Sequence, residues 1–204
     1  MLPIPLSLAA NPLLWDSAML ILSNELIKSG ARNKVISSLT GIVEKRVRAM
    51  THAILPPEER RGPCQLPTPK TLVGVGYRRN YNVNLHSARL LAIYTNLEKR
   101  FNEPMHEGFL LLAAYQMYKA TYKEHELSEG PDQHDMNRAY ALLRSYQAKE
   151  IVMERCAKCE VPYVRLNWFE AGEDACPICQ KVKLSRAIAE HGRKNHFTRK
   201  KKIP

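Results

Sequence analysis

The sequence predicts a mainly α fold: a helical bundle domain, then a small cysteine-bearing module, then a basic tail. Three observations carry that prediction. Apolar residues recur at helical spacing through most of the chain before the cysteines. Glycine is sparse, nine in 204 residues, which argues against a turn-rich β architecture. Four of the five cysteines fall in one short window near the C-terminal end, and Lys and Arg crowd the residues after them.

The first helix opens at Asn11-Pro12, an N-cap followed by proline at the first helical position. Trp15, Ala18, Met19, Leu22 and Leu26 line one face, and Gly30 is its stop signal. A second short helix covers residues 33–39 and breaks at Gly41. The third, over 43–54, places Val43, Val47, Met50 and Ile54 on one side. Pro56, Pro57, Gly62, Pro63, Pro67 and Pro69 then exclude regular helix, so this stretch reads as a linker or a long ordered loop. Three more helices follow. One opens at Asn82 or Asn84 and carries Leu85, Ala88 and Leu91. The next starts at Pro104 and carries Phe109, Leu112 and Met117. The last is capped by Asp132 and turns Ala139, Leu143 and Tyr146 inward. Short connections predict antiparallel packing of these three. The division expected is 1–55 for the N-terminal helices with their hairpin, 56–80 for the proline-rich loop and 81–154 for the helical core. The cysteine module takes 155–183, and a basic, disordered tail takes 184–204.

Cys156-x2-Cys159 and Cys176-x2-Cys179 are separated by sixteen residues, the spacing of a structural zinc site. A two-residue gap lets one tight turn aim two sulfurs at one ion, and two such turns complete a tetrahedral shell. Four thiolates leave no open position for water, so a single Zn²⁺ here is structural and not catalytic. Arg155, Lys158, Lys181 and Lys183 flank the ligands and offset the negative charge of the cluster. Between the two turns, residues 163–166 have the composition of a short strand. Cys64, far off in the proline-rich loop, reads as an incidental thiol.

The net charge of +11 is uneven: residues 181–204 hold nine Lys/Arg against the single acid Glu190. Such a tail favours polyanionic partners, nucleic acid first among them. Residues 33–50 have the pattern of a helix–turn–helix, with Val35, Ile36 and Leu39 against Val43, Val47 and Met50, and Gly41 at the turn. Lys45, Arg46 and Arg48 lie off the apolar face, where a recognition helix meets DNA. The same pattern fits an ordinary hairpin with a solvated basic face, or an assembly interface. No Lys or Arg precedes Lys28, so the apolar start lacks the charged region of a secretory leader, and no apolar run is long enough to span a bilayer. The expectation is a cytoplasmic chain with no membrane partner, whose clustered thiols stay reduced and bind metal.

Enzyme motifs fail on inspection. His106-Glu107 begins like a helical zinc-protease pair, but the position that needs the second histidine is Leu110. Gly74-x-Gly76 lacks the remaining glycine and the Lys-Ser/Thr of phosphate loops, and no Gly-x-Ser-x-Gly occurs. The remaining histidines are scattered and read as surface or packing residues. The chain is not expected to be an enzyme.

With these motifs placed, the chain resembles the FlhC family, the larger subunit of the bacterial flagellar master regulator, and the FlhC-like activators of conjugative elements. The resemblance rests on Leu26-Ile27-Lys28-Ser29-Gly30-Ala31-Arg32 before the hairpin and on the proline-rich break over residues 56–67. It continues in Arg138-Ala139-Tyr140-Ala141-Leu142-Leu143-Arg144, which leads into the four cysteines. It implies a heterohexamer with a smaller FlhD-like subunit that binds and bends an extended double-stranded promoter site and helps recruit RNA polymerase. It also implies that Cys156, Cys159, Cys176 and Cys179 bind zinc. The sequence departs from the family at Glu58-Glu59-Arg60-Arg61, at Cys64, in its more basic tail and at its first fourteen residues. Those departures leave flagellar and conjugative-transfer promoters both open. The expected phosphate contacts are Lys45, Arg46, Arg48, Arg78, Arg79, Lys158, Arg165, Lys181 and Lys183, with the tail adding non-specific affinity. The alternative reading is a zinc-ribbon RNA-binding or protein-interaction module with a basic tail.

Overall fold

The computed structural model describes residues 4–60, 65–74, 81–123, 134–168 and 176–179. Seven α-helices precede one β-hairpin among them: α1 Pro12–Lys28, α2 Asn33–Thr40, α3 Glu44–Ile54, α4 Pro69–Val73, α5 Tyr81–Arg100, α6 Glu107–Lys123, α7 Met136–Gln147, β1 Ile151–Arg155 and β2 Pro162–Leu166. The mainly helical fold expected from the sequence is the observed one. Single-turn helices also form at Leu6–Ala10 and Pro57–Glu59, so the proline-rich stretch is locally ordered at both of its described ends.

Each boundary has a local cause. The Asn11 side chain accepts from the Leu14 N–H, capping α1 ahead of Pro12. At its other end Gly30 sits at φ 75°, with Gly30 N–H on the Ile27 carbonyl and Ala31 N–H on the Leu26 carbonyl. These paired bonds satisfy the last carbonyls of the helix. Gly41, at φ 72°, ends α2 in the same left-handed conformation. Pro104 does not start α6. The chain from Pro104 to His106 is held extended by Leu6 N–H on Pro104 O and His106 N–H on Ile4 O, so the helix begins at Glu107. Likewise Asp135, not Asp132, caps α7, through its carboxylate and the Arg138 N–H; Asp132 lies outside the described residues.

Helix α6 is the centre of the bundle. Phe109, Leu110, Leu111 and Leu112 are four consecutive buried residues, which a one-sided helix could not supply. It packs against α1, α2, α5 and α7. Gly108 permits the close approach to α1: a Cβ there would lie 2.7 Å from Leu22 Cδ2. One apolar core runs from Ala18 on α1 through the bundle to Ile151, Val164 and Leu166 on the hairpin.

The hairpin pairs antiparallel, Ile151 with Leu166 and Met153 with Val164. Period-2 alternation therefore turns Ile151, Met153, Val164 and Leu166 toward the bundle, and Glu154, Tyr163 and Arg165 to the other face. The outer edge of β2 is docked by Asn84 of α5. Its amide nitrogen donates to the carbonyls of Val164 at 2.6 Å and Val73 at 2.9 Å, and its oxygen accepts from Val164 N–H at 3.1 Å. The side-chain amide stands in for a neighbouring strand, which satisfies an edge that would otherwise be open.

A candidate metal centre and a basic helical hairpin

The two strands exist to carry a turn. β1 ends at Arg155, Cys156 follows, and the chain reverses through Cys159 and Glu160 into β2. Cys156 N–H bonds Val161 O at 3.1 Å and Glu160 N–H bonds Cys156 O at 2.8 Å, which closes the reversal. Glu160 takes φ 57°, a left-handed position that the turn imposes on a residue with a side chain. Cys176 precedes a helical turn that carries Cys179.

All four sulfurs lie within 4.8 Å of one another. Cys156 Sγ is 3.8 Å from Cys179 Sγ, and Cys159 Sγ is 3.6 Å from Cys176 Sγ. Neither distance is a disulfide. A tetrahedron of thiolates with metal–sulfur bonds of about 2.3 Å has edges of roughly 3.8 Å, so the four residues fit one ion. Cys156 and Cys176 are buried, and Tyr163 and Ile178 pack on them as a cluster of their own, separate from the main core.

The thiols are already differentiated. Backbone N–H groups of Cys159 and Lys158 hold Cys156 down to about 6. The hydrogen bond that the Cys179 thiol donates to Cys159, then burial, pushes Cys179 up to about 12. Burial also raises Cys176. One thiolate forms readily, and further negative charge in so small a space calls for a cation.

On the outer face of the hairpin Arg165 is committed to Glu154 and to the carbonyls of Leu166 and Asn167, and Tyr163 donates to the same carboxylate. The arginine holds the Glu154 carboxyl below its ordinary range. Lys158 stands exposed between the first two cysteines.

At the other end of the chain α1, α2 and α3 pack together. Val35, Ile36 and Leu39 of α2 are buried with Val47 of α3, and Thr51 of α3 donates to Asn33 of α2 at 2.9 Å. Asn137 of α7 fixes the group to the bundle: its oxygen accepts from Arg32 N–H at 2.8 Å and its nitrogen donates to Gly30 O at 3.1 Å. Val43 differs from its sequence placement. It is the N-cap of α3 and is 71% exposed, because the turn after Gly41 swings it away from the α2 interface. Lys45, Arg46 and Arg48 are all exposed. Arg48 pairs with Glu44 at 3.6 Å one helical turn away. Arg78, Arg79, Lys181, Lys183, Cys64 and the basic tail lie outside the described residues.

The profile of a flagellar transcriptional activator family, FlhC, matches residues 9–194. The chain belongs to the FlhC family. The match covers the three-helix N-terminal group, the bundle and all four cysteines. FlhC is a family of transcriptional activators and not an enzyme class. No curated protein matches the chain at a significant level. No helix among the described residues is long and apolar enough to cross a membrane.

Tyr163 and Ile178, which close the cysteine cluster, were not singled out as site residues by the sequence. Their only signal is position: an apolar residue four beyond Cys159 and another between the second pair of cysteines.

Proposed function

We propose that this FlhC-family chain is a DNA-binding transcriptional activator subunit that works in a hetero-oligomer with an FlhD-like partner. It contacts double-stranded promoter DNA, assists RNA polymerase and performs no catalysis. The observation that carries the reading is the family match over residues 9–194. The ion is one structural Zn²⁺, because four sulfur donors in a closed tetrahedral arrangement suit zinc and leave no site for substrate. The location is the cytoplasm, where such thiols stay reduced and where promoters are found.

The basic side chains of α3 supply contacts to the duplex, and Lys158 extends the positive surface at the hairpin. Arg165 makes a smaller contribution, since its charge is already shared with Glu154. Arg78, Arg79, Lys181, Lys183 and the tail add to the same field. Leu13, Leu14 and Ile21 are large apolar side chains left exposed on α1, the kind of surface a partner subunit covers. The promoters are those of flagellar or conjugative-transfer operons.

A gel-shift series tests the reading. The full-length chain, alone and with a co-expressed FlhD-like protein, is titrated against flagellar and transfer promoter regions, random duplex and RNA. Preference for one promoter class, sharpened by the partner and weakened by salt, is the expected result. Equal affinity for RNA and random duplex would replace it with the RNA-binding alternative.

A further inference from the structure

The three candidate basic residues of α3 are not equivalent in the structure, and their difference divides base reading from phosphate contact. Val47 and Thr51 are buried, with Met50 and Ile54 packed beside them, so they define the inward side of the helix. Successive residues are turned by about 100°. Lys45, Ala49 and His52 therefore lie within about 40° of the direction opposite Val47, and all three are exposed. Arg46 and Arg48 stand one residue to either side of Val47, about 100° away on opposite flanks. The Glu44 carboxylate, 3.6 Å from the Arg48 guanidinium, keeps that arginine on its flank.

A helix lying in the major groove presents its outermost line to base edges and its two flanks to the phosphates of the opposing strands. Resting on the DNA-binding reading above, we propose that Lys45 and Ala49 are sequence-determining residues, with Arg46 and Arg48 as the phosphate clamps beside them. The occupant is duplex DNA in its major groove, favoured by the positive charge of both flanks. Lys45 reaches acceptors such as guanine O6 and N7. Ala49 meets the groove floor with a single methyl, which suits a thymine methyl and permits close approach of the helix. His52 continues the line toward the end of α3.

The test is selection from a random duplex library by the full-length chain with its co-expressed partner, followed by affinity measurements on selected and scrambled duplexes. The wild-type protein should enrich a defined site. Lys45→Met and Ala49→Leu should each lower affinity for that site on the order of tenfold, leave scrambled duplex within about twofold, and relax one position of the site. Arg46→Ala and Arg48→Ala should weaken both duplexes alike and reduce the salt slope by about one ion each. Equal losses on both duplexes for Lys45→Met and Ala49→Leu would overturn the division while leaving DNA binding intact. No enriched sequence for the wild-type protein would overturn the reading and the division together. Circular dichroism of each variant guards against unfolding, since all four positions are exposed.

Discussion

The helical bundle and the cysteine module are built on different forces. In the bundle, α6 contributes seven buried side chains between Phe109 and Tyr118, and neighbouring helices cover it on several sides. The cysteine cluster has Tyr163 and Ile178 as its apolar support and stands apart from that core. Burial of apolar area explains the first region, whereas the second has little apolar support and brings four sulfurs close enough to share an ion. The hairpin joins them, with one face in the bundle core and its turn in the cluster. A metal ion held by the four cysteines would organise the end of the hairpin without being needed for the bundle.

The largest expected effect is at the ligands. Cys176→Ser should abolish metal retention and open the module, removing a contribution on the order of 10 kcal/mol for a structural zinc site. Limited proteolysis would show new cleavage beyond Arg155 while α5 to α7 stay resistant. Cleavage spread evenly over the chain would erase the contrast between the regions.

The second effect is at the joint. Asn84→Leu leaves the Val164 N–H and the Val164 and Val73 carbonyls without their partner. The expected cost is about 3 kcal/mol, since each buried orphan costs about 1–3 kcal/mol. Metal content should be unchanged, because no cysteine is touched. Denaturant midpoints with metal analysis check both halves of that statement.

The third lies within the bundle and depends on pH. His134 is buried, with Nε2 2.6 Å from Ser87 Oγ and its backbone N–H on the Tyr118 hydroxyl. Ser87 donates to Leu72 O at 2.6 Å, so it accepts from His134, which leaves Nδ1 as a buried lone pair. Burial first, then Arg138 and His86, pushes His134 from 6.5 down to about 3, with Asp135 opposing. The unfolded chain therefore binds the proton more readily. The stability from neutral His134 is complete above the ordinary histidine range and is lost as pH falls from about 6.5 toward 3. Urea titrations between pH 7 and pH 4 should show a steeper loss for the wild-type protein than for His134→Gln.

The smallest effect is at a helix end. Lys149 occupies φ 58° after α7, with Lys149 N–H on Tyr146 O and Glu150 N–H on Ser145 O. This is the arrangement that Gly30 makes after α1. Lys149→Gly should raise stability by about 0.5–1 kcal/mol by removing the left-handed penalty, read as a small upward shift in thermal midpoint.

That pair of helix ends also explains what was legible in the sequence. Gly30 and Gly41 announce their helix ends, and α1 to α3 were readable almost to the residue. Lys149 performs the same task without the glycine signal, so β1 was hidden behind a charged stretch that continues the look of a helix. The starts of α6 and α7 moved for a related reason: distant chain at Ile4 and Leu6 holds Pro104–His106 extended, and a nearer acid, Asp135, takes the cap. The four cysteines were legible because their spacing is local chemistry. The roles of Asn84, Asn137 and His134 were not, since a buried polar side chain is defined by partners from 11 to 107 residues away. The exposure of α3 lay between these cases: its basic composition was visible, and the order of Lys45, Ala49, Arg46 and Arg48 around its axis became meaningful once Val47 was seen to be buried.

Hydrogen exchange with and without a metal chelator, on protein of known metal content, tests the division between the two regions most directly. One ion per chain is expected, and chelation should release the amides of Cys156 and Glu160 and weaken protection along β2 while α5, α6 and α7 keep theirs. A chain that is metal-free as isolated, with those turn amides still protected, would contradict it.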